Sequence, residues 1–434
     1  MEQWDFTAAY VNAPLDEPVF GVQPIGHEDT ANPYWICMLI MALYGLRQSG
    51  WAWQKELRAM LKHCSAKPLD TDPATFLLRE GTGWLIMPTH VDDCFPVFNT
   101  EGRHLRDRIF NHLSSLVKIT CEGEIHSALK TRIHRDRSNG IMKISHESFV
   151  WEMLTRFEML KCKEFATPGD PNIKLSNPDE VTDEMVLAAK EHPIREALGC
   201  LGWLAIMTRP DIAAATRMAS SVQHKPSEAL WSLIKRIMGY VKSTAHWGIV
   251  FRQPSTNDNS VLALDCFVDV SFAPDIHINK ARSRIGYCLR LYGSTTTWCT
   301  QMTTRPLSSS SEAECAGLHE AIKEVKWQRM LHNEIGFLKL EGPTICWEDN
   351  TAAITLAGAK EYHARSRHFG IEWHSVKHDV ADRLIEPIYI STEDQLADML
   401  TKTLASGPFV HLRDQMMGHH TDQLYFGTLF NTSK

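Results

Sequence analysis

The residues best suited to chemistry in this chain are carboxylates. Asp92 and Asp93 follow Val91 within the stretch 83–98, between the apolar runs Trp84-Leu85-Ile86-Met87 and Phe95-Pro96-Val97-Phe98. Two apolar runs flanking one acidic pair predict a hairpin with both carboxylates at its tip. Adjacent like charges repel by about 4 kcal/mol at about 4 Å when the effective dielectric is about 20. A pair held between buried strands therefore invites a cation. The plainer alternative is a turn that uses Asp for its local hydrogen bonding. Another aspartate, Asp5, closes a short apolar run near the start, with Tyr10 five residues on.

Four more acids fall at the ends of elements predicted in the last third of the chain. Strands are expected at 261–271, 284–291 and 295–300, then a helix at 311–335 and a strand at 343–349. A short helix from Asn350, another near 370–383, a strand at 385–391 and a helix at 393–404 follow. Three strands followed by alternating helices and strands predict a mixed sheet with helices packed on it. Asp269 lies on the first strand, Glu314 on the first helix, Asp349 ends the fourth strand and Asp398 lies on the last helix. Each has a structural alternative. Glu314 and Ser311, or Glu312 and Ser309, have capping-box spacing. Asp349 is placed to cap the helix from Asn350, and Asp398 to be a solvated helical charge.

Composition limits what surrounds these acids. At 434 residues the chain can bury several cores, so two or three domains are expected. A hydrophobic content of 44% with 22% charged residues is that of an ordinary soluble globular protein. The net charge of −7 excludes a generally basic nucleic-acid binder, so such contacts are expected from local patches. The 11 cysteines are scattered singly with no Cys-x-x-Cys pair, which fits neither a disulfide framework nor a zinc site and suits a reducing compartment. The N-terminus shows no signal peptide, and the longest apolar run, 35–46, is too short to span a bilayer. The expectation is a cytoplasmic or nuclear protein, not secreted and with no membrane partner.

The order of Trp4-Asp5-Phe6-Thr7-Ala8-Ala9-Tyr10, Leu43-Tyr44-Gly45-Leu46-Arg47-Gln48 and Val91-Asp92-Asp93 resembles the reverse transcriptase palm of copia-type LTR retrotransposons. Ser311-Glu312-Ala313-Glu314, Glu348-Asp349-Asn350 and the run 395–402 resemble the ribonuclease H domain that follows it there. The resemblance implies an α/β (α+β) chain: a partial palm over 1–165, a helical thumb and connection with linkers over 166–257, a ribonuclease H-like mixed-sheet domain over 258–405, and a tail over 406–434. It implies an RNA-directed DNA polymerase with Asp5, Asp92 and Asp93 as catalytic residues, the first two holding magnesium. Asp269, Glu314, Asp349 and Asp398 are implied as both catalytic residues and metal ligands of the nuclease, with two Mg2+ ions per active site. In-line phosphodiester hydrolysis uses two divalent ions about 3.5–4 Å apart, and hard magnesium takes carboxylate oxygens without His or Cys ligands.

Further roles come with the resemblance. Tyr10 and Gln48 fall where the family contacts the incoming nucleotide. The apolar stripe Leu230, Leu233, Ile234, Ile237, Met238 and Val241 predicts one buried helix face that leaves Lys235, Arg236 and Lys242 away from its centre. Beside a palm these form a track for duplex phosphates. The cluster His363, Arg365, Arg367 and His368, with His374, is expected to touch the backbone of an RNA/DNA hybrid. Implied partners are an RNA template, a DNA primer, the hybrid, dNTPs and, in an intact element, a Gag-like particle.

The chain also departs from the family pattern. Gly50-Trp51 replaces Pro-Arg, His90 replaces Tyr ahead of the acidic pair, and Pro96 stands in the return strand, where it is tolerated only at an edge or bulge. Ser271 replaces a second Asp, and no histidine lies in 383–393. The family's fingers precede the first aspartate, whereas Asp5 stands almost at the first residue here. Polymerisation is accordingly not expected of this chain. The alternative to an active enzyme is a decayed or domesticated remnant that binds nucleic acid without turnover.

Overall fold

The computed structural model describes residues 1–173, 175–253, 262–274, 278, 280–337, 340–358 and 371–419. The chain divides into two compact units, 1–126 with 330–337, and 127–329 with 338–434. Two divisions expected from sequence fall elsewhere. The hairpin strands Thr131–Asp136 and Ile141–Ser145 and the helix Glu147–Arg156 belong to the second unit, and the 257/258 division crosses one continuous body.

In the first unit an antiparallel sheet runs in the order Lys67–Pro68, Thr75–Glu80, Gly83–His90, Asp93–Cys94, Glu2–Phe6, Ile119–Glu124. Its core includes Trp4, Phe6, Trp53, Leu57, Leu85, Met87, Ile109 and Leu113, so the helices Ser49–Lys62 and Arg103–Leu116 share a core with it. Side chains alternate across a strand, so burying Trp4 and Phe6 turns Asp5 to the other face. A separate two-stranded ribbon, Pro14–Val22 with Ile36–Met41, leaves Phe20, Val22, Ile36, Met38 and Ile40 exposed. The apolar run 35–46 is thus largely an exposed strand and turn.

The second unit contains the sheet that carries the later acids. Its order is Ser294–Pro306, Arg282–Leu291, Leu264–Ser271, Thr344–Glu348, Ile385–Tyr389. The first three strands pair antiparallel and the last two join in parallel. This is the mixed sheet expected from sequence, and the helix Ser310–Ile335 comes where 311–335 was expected. The fold is α/β: an antiparallel sheet with helices in the first unit, and helices packed with a mixed sheet in the second.

Helices Ile194–Met207, Ala213–Ser221 and Glu228–Ser243 share one core with this sheet. Leu201, Leu233, Ile237 and Val241 cluster with Phe267, Trp347, Leu396 and Met399, and Trp298 Nε1 donates to the Ala205 carbonyl at 2.7 Å. All six residues of the expected helical stripe are fully buried. The block Thr208-Arg209-Pro210-Asp211 is interior. Arg209 bonds Asp211 at 2.8–3.2 Å and the Thr244 carbonyl at 3.0 Å, while Tyr240 donates to Asp211 at 2.6 Å.

One expected element is absent. In place of a helix over 393–404 there is a single 3-10 turn, Thr392–Asp394, and a one-turn helix, Asp398–Thr401. Between them the Gln395 amide donates to the carbonyls of Val268 and Trp347 at 2.9 and 3.1 Å, stapling two neighbouring strands. Lys402 then turns extended. Tertiary hydrogen bonding overrode the helical pattern. Among the described residues no helix is long and apolar enough to cross a membrane.

Candidate nuclease and palm sites

Parallel register brings two of the acids together. Asp265, Cys266 and Phe267 face Ile345, Cys346 and Trp347 across the central pair of strands. Two residues further along each strand stand Asp269 and Asp349. Gly286, opposite Asp269 on the next strand, lets the Asp398 turn approach: a Cβ there would meet Thr401 Cγ2 at 2.6 Å and Leu400 Cβ at 2.8 Å. Gly317 does the same for the long helix, since its Cβ would meet Val270 Cγ2 at 2.5 Å. That close approach carries Glu314, one turn earlier, to the sheet.

The result is two overlapping acidic groups. One carboxylate oxygen each from Asp269, Asp349 and Asp398 lies within 4.8 Å of the others, and the same holds for Glu314, Glu348 and Asp349. Asp269, Glu314, Glu348 and Asp398 are 0–5% exposed. Burial, then the charges of Glu348, Asp269 and Asp349, push the Glu314 carboxyl well above its ordinary range. Glu348 is pushed up to about 8, chiefly by burial and then by Asp349 and Asp269, and Asp398 to about 7 by burial and Asp269. Glu314 Oε2 and Glu348 Oε2 are buried with no hydrogen-bond partner among the described residues. Desolvated carboxylate oxygens without donors are costly, and a hard divalent cation is the partner such oxygens fit.

The structural alternatives resolve in favour of this group. Ser309 Oγ accepts from the Glu312 amide at 3.1 Å while Glu312 Oε2 accepts from the Ser308 amide at 2.7 Å, so Glu312 does the capping and leaves Glu314 free of that task. Asn350 Oδ1 caps its own helix through the amides of Ala352 and Ala353 at 3.0 and 3.2 Å, which releases Asp349. Asp398 is buried rather than solvated.

Two groups here were not singled out from sequence. Glu348 ends its strand, and its position one residue before Asp349 gave no reason to separate it from an ordinary strand residue. Lys402 Nζ lies 2.8 Å from Asp398 Oδ1 and 3.2 Å from Asp269 Oδ1. Against the cost of burial, Asp269 and Asp398 raise its ammonium above the usual lysine range. Its spacing of four from Asp398 was the available signal. Thr401 Oγ1 donates to Asp269, and Thr392 Oγ1 to Asp349 at 2.8 Å.

The hairpin of the first unit is less complete. Val91 and Asp92 form its two-residue tip, and Asp93 already lies on the return strand, opposite Asp5. This corrects the expectation of both acids at the tip: the register pairs His90 with Asp93. Val91 is β-branched with φ +54°, a strained conformation, and Trp53 Nε1 holds its carbonyl at 2.8 Å. Pro96 falls in the gap between Asp93–Cys94 and Val97–Phe98, and its carbonyl accepts from the Glu2 amide at 3.0 Å. Burial, then Asp93 and Asp92, raise the Asp5 carboxyl.

Asp5, Asp92 and Asp93 do not form a group of the closeness seen around Asp349. Tyr44 donates to Asp92 Oδ2 at 2.6 Å and Gln3 Nε2 to Asp93 Oδ1 at 3.2 Å, while Asp92 Oδ1 is buried with no partner among the described residues. Burial and the bond to Asp92 push the Tyr44 phenol up to about 12. Tyr10 packs against Tyr44 with ring centroids 4.6 Å apart and planes tilted by 45°, and Gln48 is exposed at the start of the helix Ser49–Lys62. Tyr44 lies in the motif Leu43-Tyr44-Gly45-Leu46-Arg47-Gln48, where nothing in the sequence marks its bond to Asp92.

The three residues of the expected phosphate track are held differently. Lys235 is exposed, but Arg236 bonds Thr167 at 3.1 Å and lies 3.6 Å from Asp170, and Lys242 bonds the Cys162 carbonyl at 3.1 Å and Glu164 at 3.2 Å. These partners come from 162–170, so the stretch 166–182 begins as a docked segment and not a free linker. His363, Arg365, Arg367 and His368 lie outside the described residues.

Residues 1–171 match the family model described as reverse transcriptase (RNA-dependent DNA polymerase). The retrovirus-related Pol polyprotein from transposon TNT 1-94 of Nicotiana tabacum is 28% identical over 97% of this chain and 31% of its own length. That from transposon RE1 of Arabidopsis thaliana is 29% identical over 94% of this chain and 27% of its own length. The chain thus spans less than a third of these relatives. Among solved structures, LC11-RNase H1 in complex with RNA/DNA hybrid covers 32% of the chain and 93% of itself at 14% identity, with a TM-score of 0.24. A likeness that weak adds nothing to the sheet order already described. The first 171 residues carry a reverse transcriptase domain, and over 94–97% of its length the chain is similar to Pol polyproteins of copia-type retrotransposons.

Proposed function

We propose that the second unit is a divalent-cation-dependent nuclease that cuts the RNA strand of an RNA/DNA hybrid, with Asp269, Glu314, Asp349 and Asp398 as its catalytic set. The observation that carries the reading is the buried carboxylate group around Asp349, with its two undonated oxygens. Two Mg2+ ions held there would activate an attacking water and stabilise the leaving oxygen. The protein's own part is positioning. Asp269 and Asp349 are fixed by strand register, Asp398 by the turn seated on Gly286, and Glu314 by the helix seated at Gly317. Thr392 and Thr401 orient two of the carboxylates, and Lys402 offsets part of their charge. RNA would be told from DNA through its 2′-hydroxyls.

The first unit supports a narrower role. Asp92 and Asp93 are each engaged by a neutral donor, and the three palm acids do not reach the closeness of the groups around Asp349. That favours a palm that binds template, primer or hybrid without extending a primer or consuming dNTPs. The test of the nuclease reading is cleavage of a labelled RNA strand, annealed to DNA, by the full chain with magnesium. Asp349→Asn keeps the shape and removes a charge shared by both acidic groups, and should reduce cutting to background. Equal cutting by both proteins would assign the activity to a contaminant.

A further inference from the structure

Beyond the four acids of that reading, the site contains Glu348, grouped with Glu314 and Asp349, and Lys402, bonded to Asp269 and Asp398. Glu348 Oε1 accepts from the Asn350 amide at 3.0 Å, while Oε2 has no partner among the described residues. Glu314 Oε2 is in the same condition. Glu348 is 0% exposed and Glu314 5%, so bulk solvent does not reach these oxygens. With Asp349 they present three carboxylate oxygens within 4.8 Å of one another and no basic side chain bonded to Glu314 or Glu348 among the described residues. On the other side, Asp269 and Asp398 share the Lys402 ammonium at 3.2 and 2.8 Å, and Asp269 also accepts from Thr401. Asp269 and Asp398 thus bond an ammonium, whereas Glu314 and Glu348 bond no cationic side chain among the described residues.

We infer that Glu348 is a fifth carboxylate ligand, and that Glu314, Glu348 and Asp349 form the divalent-cation position that fills first. Lys402 serves the Asp269–Asp398 position until a second cation displaces it. The inference rests on the proposed cation-dependent reading of this site and goes beyond its four-acid set. An all-oxygen, highly charged position suits Mg2+ or Mn2+ and disfavours softer ions. Displacing an ammonium held by two carboxylates weakens the second position relative to the first, because that bond must be broken before the cation gains its own.

The test is Mn2+ titration of the full chain, following the free-ion signal by electron paramagnetic resonance. Ions lost in Asp349→Asn are those of this site. The unmodified chain should show a tighter and a weaker class of such ions. Glu348→Gln should weaken the tighter class by about tenfold or more, leaving the weaker one in place. Lys402→Met should strengthen the weaker class by about tenfold, equivalent to about 1.4 kcal/mol, without changing the tighter one. If Glu348→Gln does not fold, Glu348→Asp, which keeps the charge but draws it back, should weaken the same class. An unaltered tighter class in a folded Glu348 variant, or a weaker class unmoved by Lys402→Met, overturns the inference and leaves the nuclease reading standing. Absence of any Asp349-dependent Mn2+ binding overturns both.

Discussion

At the hairpin of the first unit, Asp92 and Asp93 lean on Tyr44 and Gln3, with Asp92 Oδ1 left without a donor; around Asp349 in the second unit, Glu314 and Glu348 each keep an oxygen that no donor among the described residues reaches. The two regions use the same side chains and differ in what holds them. The hairpin acids hang on a two-residue turn and a return strand broken at Pro96. The acids around Asp349 stand on adjacent strands of a five-stranded sheet and on elements seated against it at Gly286 and Gly317. Positioning carboxylates against their mutual repulsion takes a packed scaffold, and only the second region has one on every side.

The comparison can be broken first at its scaffold. Asp211→Asn removes the charge paired with the fully buried Arg209, whose bonds tie the connection helices together beneath the nuclease sheet. Losing one partner of a buried pair should cost about 3–5 kcal/mol. Hydrogen exchange read separately over the two units should show the loss in 127–329 and not in 1–126; equal loss in both would show that the support is not local.

A second effect separates the titration of the scaffold from that of the acids. His146 is 2% exposed, bonds Thr208 at 3.0 Å, and is pulled down to about 4 by burial. Its folded pKa lies below its unfolded value near 6.5, so the unfolded state binds the extra proton. Its contribution, about 3 kcal/mol, is complete above pH 6.5 and is lost as pH falls toward 4. Denaturant melts from pH 7 to 4 should show this slope in the unmodified chain and a flatter one in His146→Gln. An unchanged slope would move the cause to other groups.

A smaller effect distinguishes the two acidic regions directly. Divalent cation at about 100 times its dissociation constant should stabilise the fold by about 2.7 kcal/mol. That gain should vanish in Asp349→Asn and persist in Asp92→Ala. Loss of the gain in Asp92→Ala would place the ion at the hairpin and reverse the comparison.

Much of this was legible in the sequence where local pattern and tertiary structure agree. Strand ends placed Asp269 and Asp349, and the Ser-Ser-Glu spacing located the start of the helix that carries Glu314. The expected helix at 393–404 failed because the Gln395 amide is committed to two strand carbonyls, a demand no helical periodicity reveals. Arg236 and Lys242 were expected to face nucleic acid, but their partners Thr167, Asp170, Cys162 and Glu164 lie far earlier in the chain, where a stretch read as palm gives way to one read as linker. Glu348 and Lys402 were visible as residues but not as groups of the site, since burial and an undonated oxygen belong to the packed structure.

The most direct test runs both chemistries on one preparation of the full chain. Cleavage of hybrid RNA and primer extension on an RNA template are measured with magnesium for the unmodified protein, Asp349→Asn and Asp92→Ala. The account predicts cleavage by the unmodified chain and by Asp92→Ala, none by Asp349→Asn, and extension by none of the three. Extension by the unmodified chain that disappears in Asp92→Ala, or cleavage that survives Asp349→Asn, would contradict it.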